Sequence, residues 1–207
     1  MTREKLLALL STGLDARPTC FGDGVVLCHT PFVAPLAYLH RIYPVLPPGE
    51  LASLQSNLGR KIPVSYSDFL CSVGNGANLY ELSLYGFVSQ ARRSASDPLG
   101  QAHSLRYGNV IERPEGIKED TFAIGGIVGW SSRGTLVMEP GGGVLLVHAY
   151  DGRDIAARWS CLDAMLEEEI ARLSPLYDRT GRLLASATEV MHPAGRKWET
   201  SVEPSRH

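Results

Sequence analysis

The chain has 207 residues, with 20 Lys and Arg against 22 Asp and Glu, a formal net charge of −2 at pH 7. Hydrophobic residues make up 44% and charged residues 20%, the balance of an ordinary folded domain. This excludes a collagen, a coiled coil and a disordered chain, and the missing positive excess argues against general binding to nucleic acid or anionic membrane.

A short amphipathic helix is expected over Arg3 to Leu10. The apolar run Leu6 to Leu10 is too short for a secretory signal, Glu4 interrupts its basic flank, and no cleavage-type site follows. No run approaches the ~18 apolar residues of a membrane span, so the chain reads as cytoplasmic. Phe21 to Thr30 suggests a strand, after which Pro31, Pro35, Pro44, Pro47 and Pro48 forbid long regular structure.

Leu51, Leu54 and Leu58 share one stripe of a helix over Glu50 to Leu58, with Gly59 as its stop. Tyr66, Phe69, Leu70 and Val73 form the face of a second helix, Ser65 to Val73. The period then changes to two, and Leu82 and Leu84 mark a half-buried strand. Gln90 to Asp120 is a polar excursion, with one helix expected over Leu99 to Tyr107. Three strands follow, at Phe122 to Ile127, Thr135 to Glu139 and Val144 to Tyr150, with a shorter one at Asp154 to Arg158. Turns this tight require antiparallel pairing, because a parallel crossover needs a dozen residues or more.

Ser160 to Leu173 is the most regular helix, with Ser160 as N-cap and Asp163 near a capping box. Leu162, Met165, Leu166, Ile170 and Leu173 form its apolar face, and Glu167 to Glu169 are expected in solvent. A further helix is expected within Leu176 to Met191, and His192 to His207 as a loose tail. The order predicts an α+β fold: one antiparallel sheet, or a mixed one, with helices packed on one side.

No motif carries chemistry. Cys20, Cys28, Cys71 and Cys161 lack zinc-ligand spacing and read as buried free thiols. Gly129 to Gly134 is one residue too long for a G-x-S-x-G nucleophile elbow and is flanked by strands on both sides. Pro140-Gly141-Gly142-Gly143 leads into a strand rather than the helix that a phosphate cradle needs. An enzyme would require Glu139, His148 and Asp151 to converge. No catalytic residue, cofactor site or metal site is therefore expected.

The segment Leu58-Gly59-Arg60-Lys61-Ile62-Pro63-Val64-Ser65-Tyr66-Ser67-Asp68-Phe69-Leu70, followed by Asn75-Gly76, resembles the SUKH superfamily. That superfamily includes fungal cell-wall regulators of the Smi/Knr type and many bacterial immunity proteins. Leu82 to Phe87, Phe122 to Gly129, Trp130, Gly141 to Gly143, Asp151 and Ser160 to Leu173 extend the likeness over about residues 45 to 175. The resemblance implies an irregular lead-in at 1–44, a SUKH-like domain at 45–175 and a C-terminal extension at 176–207. It further implies a non-enzymatic protein-binding module of the immunity type, which binds and neutralises a toxin encoded nearby, with no direct nucleic-acid or membrane contact. The alternative is a regulatory scaffold that binds endogenous partners. Candidate partner-binding residues are Trp130, Glu139, Tyr150, Asp151, Glu167 and Glu168, with the acidic run Glu167 to Glu169 and Asp163 steering a basic toxin.

Overall fold

The structure, a computed structural model, describes residues 1–88, 99–128, 133–148 and 152–185. One nine-stranded sheet runs in chain order, and every neighbouring pair of strands is antiparallel. Its strands are β1 (Thr19–Phe21), β2 (Gly24–His29), β3 (Tyr38–Ile42), β4 (Ala77–Leu79), β5 (Leu82–Leu84), β6 (Phe122–Val128), β7 (Arg133–Met138), β8 (Val144–His148) and β9 (Ile155–Trp159). Four α-helices accompany it: α1 (Arg3–Ser11), α2 (Pro48–Leu58), α3 (Val64–Ser72) and α4 (Leu162–Leu173). The α+β class expected from the order of elements is what the structure has.

Local chemistry sets the helix ends. The Thr2 side chain accepts the Lys5 amide hydrogen at the start of α1. Pro48 opens α2, where its missing N–H has no helical partner to lose, and Gly59 closes it at φ 64°. Pro63 caps α3. At α4 the cap is Cys161 rather than Ser160: β9 stays extended through Trp159, and helical geometry begins only at Leu162. The Cys161 thiol accepts from the Ala164 amide at 3.5 Å.

The core explains why the sheet has two unlike faces. Leu6, Leu10, Leu54, Leu58, Tyr66, Phe69, Leu70, Met165, Leu166 and Ile170 all join one cluster with Leu27, Ile42, Leu79, Leu84, Leu136 and Leu146. Buried residues of all four α-helices therefore pack against one face, here called the first face. A β-strand alternates its side chains, so the registers draw continuous rows. One runs Val25, Ile42, Ala77, Leu84, Gly125, Leu136, Leu146 and Ala157 along the first face.

Three side chains complete the backbone bonding where short strands stop. The buried Tyr66 hydroxyl lies 2.6 Å from the Tyr85 carbonyl and 2.8 Å from the Ile124 carbonyl, sharing its one proton. Burial pushes its phenol well above the ordinary range. The Asn75 amide donates to the Phe87 carbonyl at 2.9 Å and accepts the Phe87 N–H at 2.7 Å, as a strand residue would. Asn109 does the same for Ala123 beyond the end of β5. Tyr66→Phe is expected to cost about 1–3 kcal/mol, read as a lower urea midpoint at unchanged slope. An unchanged midpoint would mean that these carbonyls are satisfied elsewhere.

Several expectations are corrected. The helical segment of the excursion lies later than Leu99 to Tyr107, as a π-helical turn at Tyr107–Ile111, because Ser104 is held in a bridge to Gly86. From Ser174 to Ala185 the structure has a 3-10 turn, Ser174–Leu176, and a Tyr177–Leu183 bridge but no α-helix; the rest of the segment in which a further helix is expected, and the expected loose tail at 192–207, lie outside the described residues. Glu169 is buried at 2% exposure, not in solvent, because Arg172 grips its carboxylate at 2.6 Å. Of the thiols, only Cys28 is buried; Cys71 is half-buried, and Cys20 and Cys161 are exposed.

Candidate functional site

The second face of the sheet changes character across its width. Over β3 to β5 its row is polar, where Ser83 donates to Asn78 and Asn78 to the Tyr43 hydroxyl. Over β7 to β9 it becomes apolar. Val137 pairs with Leu145, and Leu145 with Arg158; Thr135 pairs with Val147, and Val147 with Ile155. Ile155 and Arg158 are three residues apart and would face opposite ways in a regular strand. The bulge at Ala156 inserts one unpaired residue and turns both to the second face.

These residues line a hollow of about 260 Å³, floored by Val137, Leu145 and Val147 and walled by Ile117 and Ile155. The wall is a held loop. Arg113 donates to the Lys118 carbonyl at 2.6 Å and to the Thr121 carbonyl at 3.2 Å, and Arg60 donates to the Glu119 carbonyl. Burial, with Arg60 nearby, lowers the Arg113 guanidinium from its ordinary value. The Gly152 amide donates to the Glu115 carbonyl at 2.7 Å, tying the loop to the turn before β9.

Gly152 is required there by contact rather than by dihedral angle. A Cβ on it would lie 1.9 Å from Ile117 Cγ2 and 2.8 Å from the Ile117 backbone nitrogen. Gly152→Ala is expected to lift Ile117 off the hollow and to cost about 1–3 kcal/mol. Amide exchange over residues 115–121 checks this; unchanged protection would show that the loop is not seated on Gly152.

Lys118, Arg153 and Arg158 lie around the hollow against one carboxylate, Glu139. Glu139 and Arg158 pair at 2.8 Å, and Arg158 is 58% exposed. Such a surface pair contributes about 0–1 kcal/mol. Glu139 also begins the β7–β8 turn, where its N–H donates to the Gly143 carbonyl at 2.8 Å.

Of the sequence candidates, Glu139 lies at this hollow. Trp130, Tyr150 and Asp151 lie outside the described residues. Glu167 and Glu168 belong to α4, in the helix layer of the first face, so the structure does not bring them together with Glu139. The expected acidic steering surface is largely cancelled: Glu167 pairs with Lys5 at 2.6 Å, Glu169 with Arg172, and Asp163 with the Met1 ammonium. Glu139 and His148 sit at opposite ends of β8, roughly 15 Å apart along an extended chain, and do not converge.

Sequence reasoning missed Ile117, Val137, Leu145, Val147 and Ile155. The unbroken run Val144-Leu145-Leu146-Val147 was the available signal, since a strand apolar on both faces has something to cover on each. Among the described residues no group of three or more His, Cys, Asp or Glu is placed to hold a metal ion, and no helix is long and apolar enough to cross a membrane. Comparison with known protein families, with curated proteins and with solved structures finds no match.

Proposed function

We propose that the protein is a non-enzymatic binding module of the SUKH immunity type, acting in the cytoplasm, which neutralises a bacterial toxin by docking on it. The observation that carries this reading is the division of the sheet. Buried residues of all four α-helices pack on one face, while among the described residues an apolar hollow rimmed by charge stays open on the other. A rigid scaffold with an apolar centre and a polar rim is the form that protein interfaces take.

Features of the resemblance agree with the reading. Gly59 takes the left-handed conformation after α2, Pro63 opens α3, Phe69 and Leu70 are buried, and Asn75 bonds the Phe87 backbone beyond the end of β5. These are positions that hold a scaffold and leave its surface to recognition. The test is co-expression with the product of the adjacent gene. Protection of the host cell and co-purification as a stable complex are expected. Toxicity that continues in the presence of the folded protein would end the proposal.

A further inference from the structure

We infer that residues 177–184 form a hinged clasp, which opens as one unit while the sheet stays folded and uncovers the Cys28 thiol beneath it. The clasp is a conformational device of the fold itself and does not depend on the protein-binding reading.

The first observation is how the clasp is bonded. After α4 comes the 3-10 turn Ser174–Leu176, then a small hairpin closed by the Tyr177–Leu183 bridge. The hairpin is bonded mainly to itself. The Asp178 N–H donates to the Arg182 carbonyl and the Gly181 N–H to the Asp178 carbonyl, each at 2.9 Å, and the Asp178 carboxylate accepts from the Thr180 and Arg182 amides at 2.9 Å. Among the described residues one backbone hydrogen bond ties the hairpin to elements before α4, from the Asp15 N–H to the Arg179 carbonyl at 3.0 Å. The Asp15–Arg179 ion pair beside it lies at the surface, where such pairs add little. Of residues 177–184 only Gly181 is buried. Segments with few ties and little burial open at free energies well below that of global unfolding.

The second observation is the floor under the clasp. A Cβ on Gly181 would lie 2.6 Å from Cys28 Sγ, 3.2 Å from Thr30 Cγ2 and 3.3 Å from Leu39 Cδ2. The Tyr177 ring lies on Tyr80, centroids 4.9 Å apart, and its hydroxyl donates to Glu81 at 3.1 Å. Arg182 lies over the Phe32 ring at 4.5 Å. Cys28 and Thr30 are each 3% exposed. Glycine backbone thus seals the thiol, and a group attached to its sulfur has no room until the clasp lifts.

The third observation is strain. Cys28 and Tyr80, at φ 59° and 53°, are the two non-glycine residues of the described chain in the left-handed region. That region is costly for such side chains, and residues stay in it where surrounding contacts hold them. Both lie under the clasp, Cys28 against Gly181 and Tyr80 against Tyr177. Part of what holds them is therefore the clasp, and their relaxation favours opening.

The test is labelling of the full-length native protein with N-ethylmaleimide at neutral pH, over urea concentrations below the unfolding transition. Labelling is read residue by residue by mass spectrometry, beside amide exchange. Cys28 is expected to label more slowly than the exposed Cys20 and Cys161, with a urea dependence much shallower than that of amide exchange in β7 and β8. Tyr177→Phe, which removes the bond to Glu81, is expected to speed Cys28 labelling about tenfold and to leave β7 and β8 protected. Once Cys28 is labelled, the amides of 177–184 are expected to lose protection while those of β7 and β8 keep it. One common urea dependence for Cys28 and the β7 and β8 amides would mean that only global unfolding reaches the thiol, and would overturn the inference. An unchanged labelling rate in Tyr177→Phe, or a labelled protein in which 177–184 stays protected, would do the same. The wild-type urea series decides the matter even if the variant folds poorly. The co-expression test reads none of these quantities, so either result can fail without the other.

Discussion

Acidification is expected to destabilise the fold by about 1.4 kcal/mol per pH unit below pH 6.5, through His40 alone, for a total of roughly 5 kcal/mol. His40 lies on the first face in register with Leu27 and Leu79 and is 1% exposed. Its Nδ1 accepts the Tyr80 amide hydrogen at 3.4 Å, its Nε2 has no partner among the described residues, and the Tyr80 ring meets it edge-on at 4.4 Å. Burial lowers its pKa from 6.5 to about 3. The sign follows from proton binding. Above pH 6.5 the ring is neutral in both states. Between 6.5 and about 3 the unfolded chain takes up a proton that the folded chain refuses, so stability falls as the pH falls. Below about 3 both states are protonated and this contribution levels off.

Nearby Glu81 works in the opposite direction. Burial raises its pKa, and the Tyr177 hydroxyl, 3.1 Å away, partly offsets the rise. The folded state therefore takes its proton first, which softens the acid loss by a smaller amount. Tyr80, pushed up to about 12, and Cys28, also raised by burial, titrate above this range. The measurement is urea unfolding at pH 7, 5.5 and 4 on the wild type and on His40→Leu. The wild-type midpoint is expected to fall steeply with pH and the variant's to fall much less. Parallel lines would show that His40 is not the neutral buried group described.

Asn109→Leu is expected to cost about 3 kcal/mol or more, a fall of roughly 6–12 °C in Tm for a chain of this size. Asn109 is 5% exposed and sits in the π-helical turn. Its amide nitrogen donates to the Ala123 carbonyl at 2.7 Å and to the Leu105 carbonyl at 3.0 Å, and its oxygen accepts the Ala123 N–H at 2.9 Å. Leucine fills a similar volume but leaves these buried backbone groups without partners, and an unmet buried donor or acceptor costs about 1–3 kcal/mol. Thermal unfolding and urea unfolding check the value. A loss under about 0.5 kcal/mol would mean that the turn moves aside and water satisfies β6.

The parts of the fold legible in the sequence are those set by neighbours along the chain. The i, i+3, i+4 stripes of α2, α3 and α4 and the alternation of β5 each follow from one short window. So do the tight turns that force β6, β7 and β8 to pair antiparallel. β3 was hidden because five prolines surround a strand of five residues, and its pairing with β4 crosses a stretch that contains α2 and α3. Glu139 was legible as a turn acid. Ile155 and Arg158 were not legible as neighbours, since their spacing puts them on opposite faces until Ala156 bulges.

By itself the sequence determined the α+β class, the antiparallel hairpins of the second half and the buried stripes of three helices, because short-range sterics and hydrogen bonding decide them. Tertiary structure alone decided which acids are exposed and which are paired, as with Glu169 on Arg172 and Glu167 on Lys5. It also decided that Asn75 and Asn109 act as strand residues, and that a loop centred on Ile117 meets β7 to β9 around an open hollow. The physical reason is the same in each case: the partner groups are far apart along the chain, and no local window contains both.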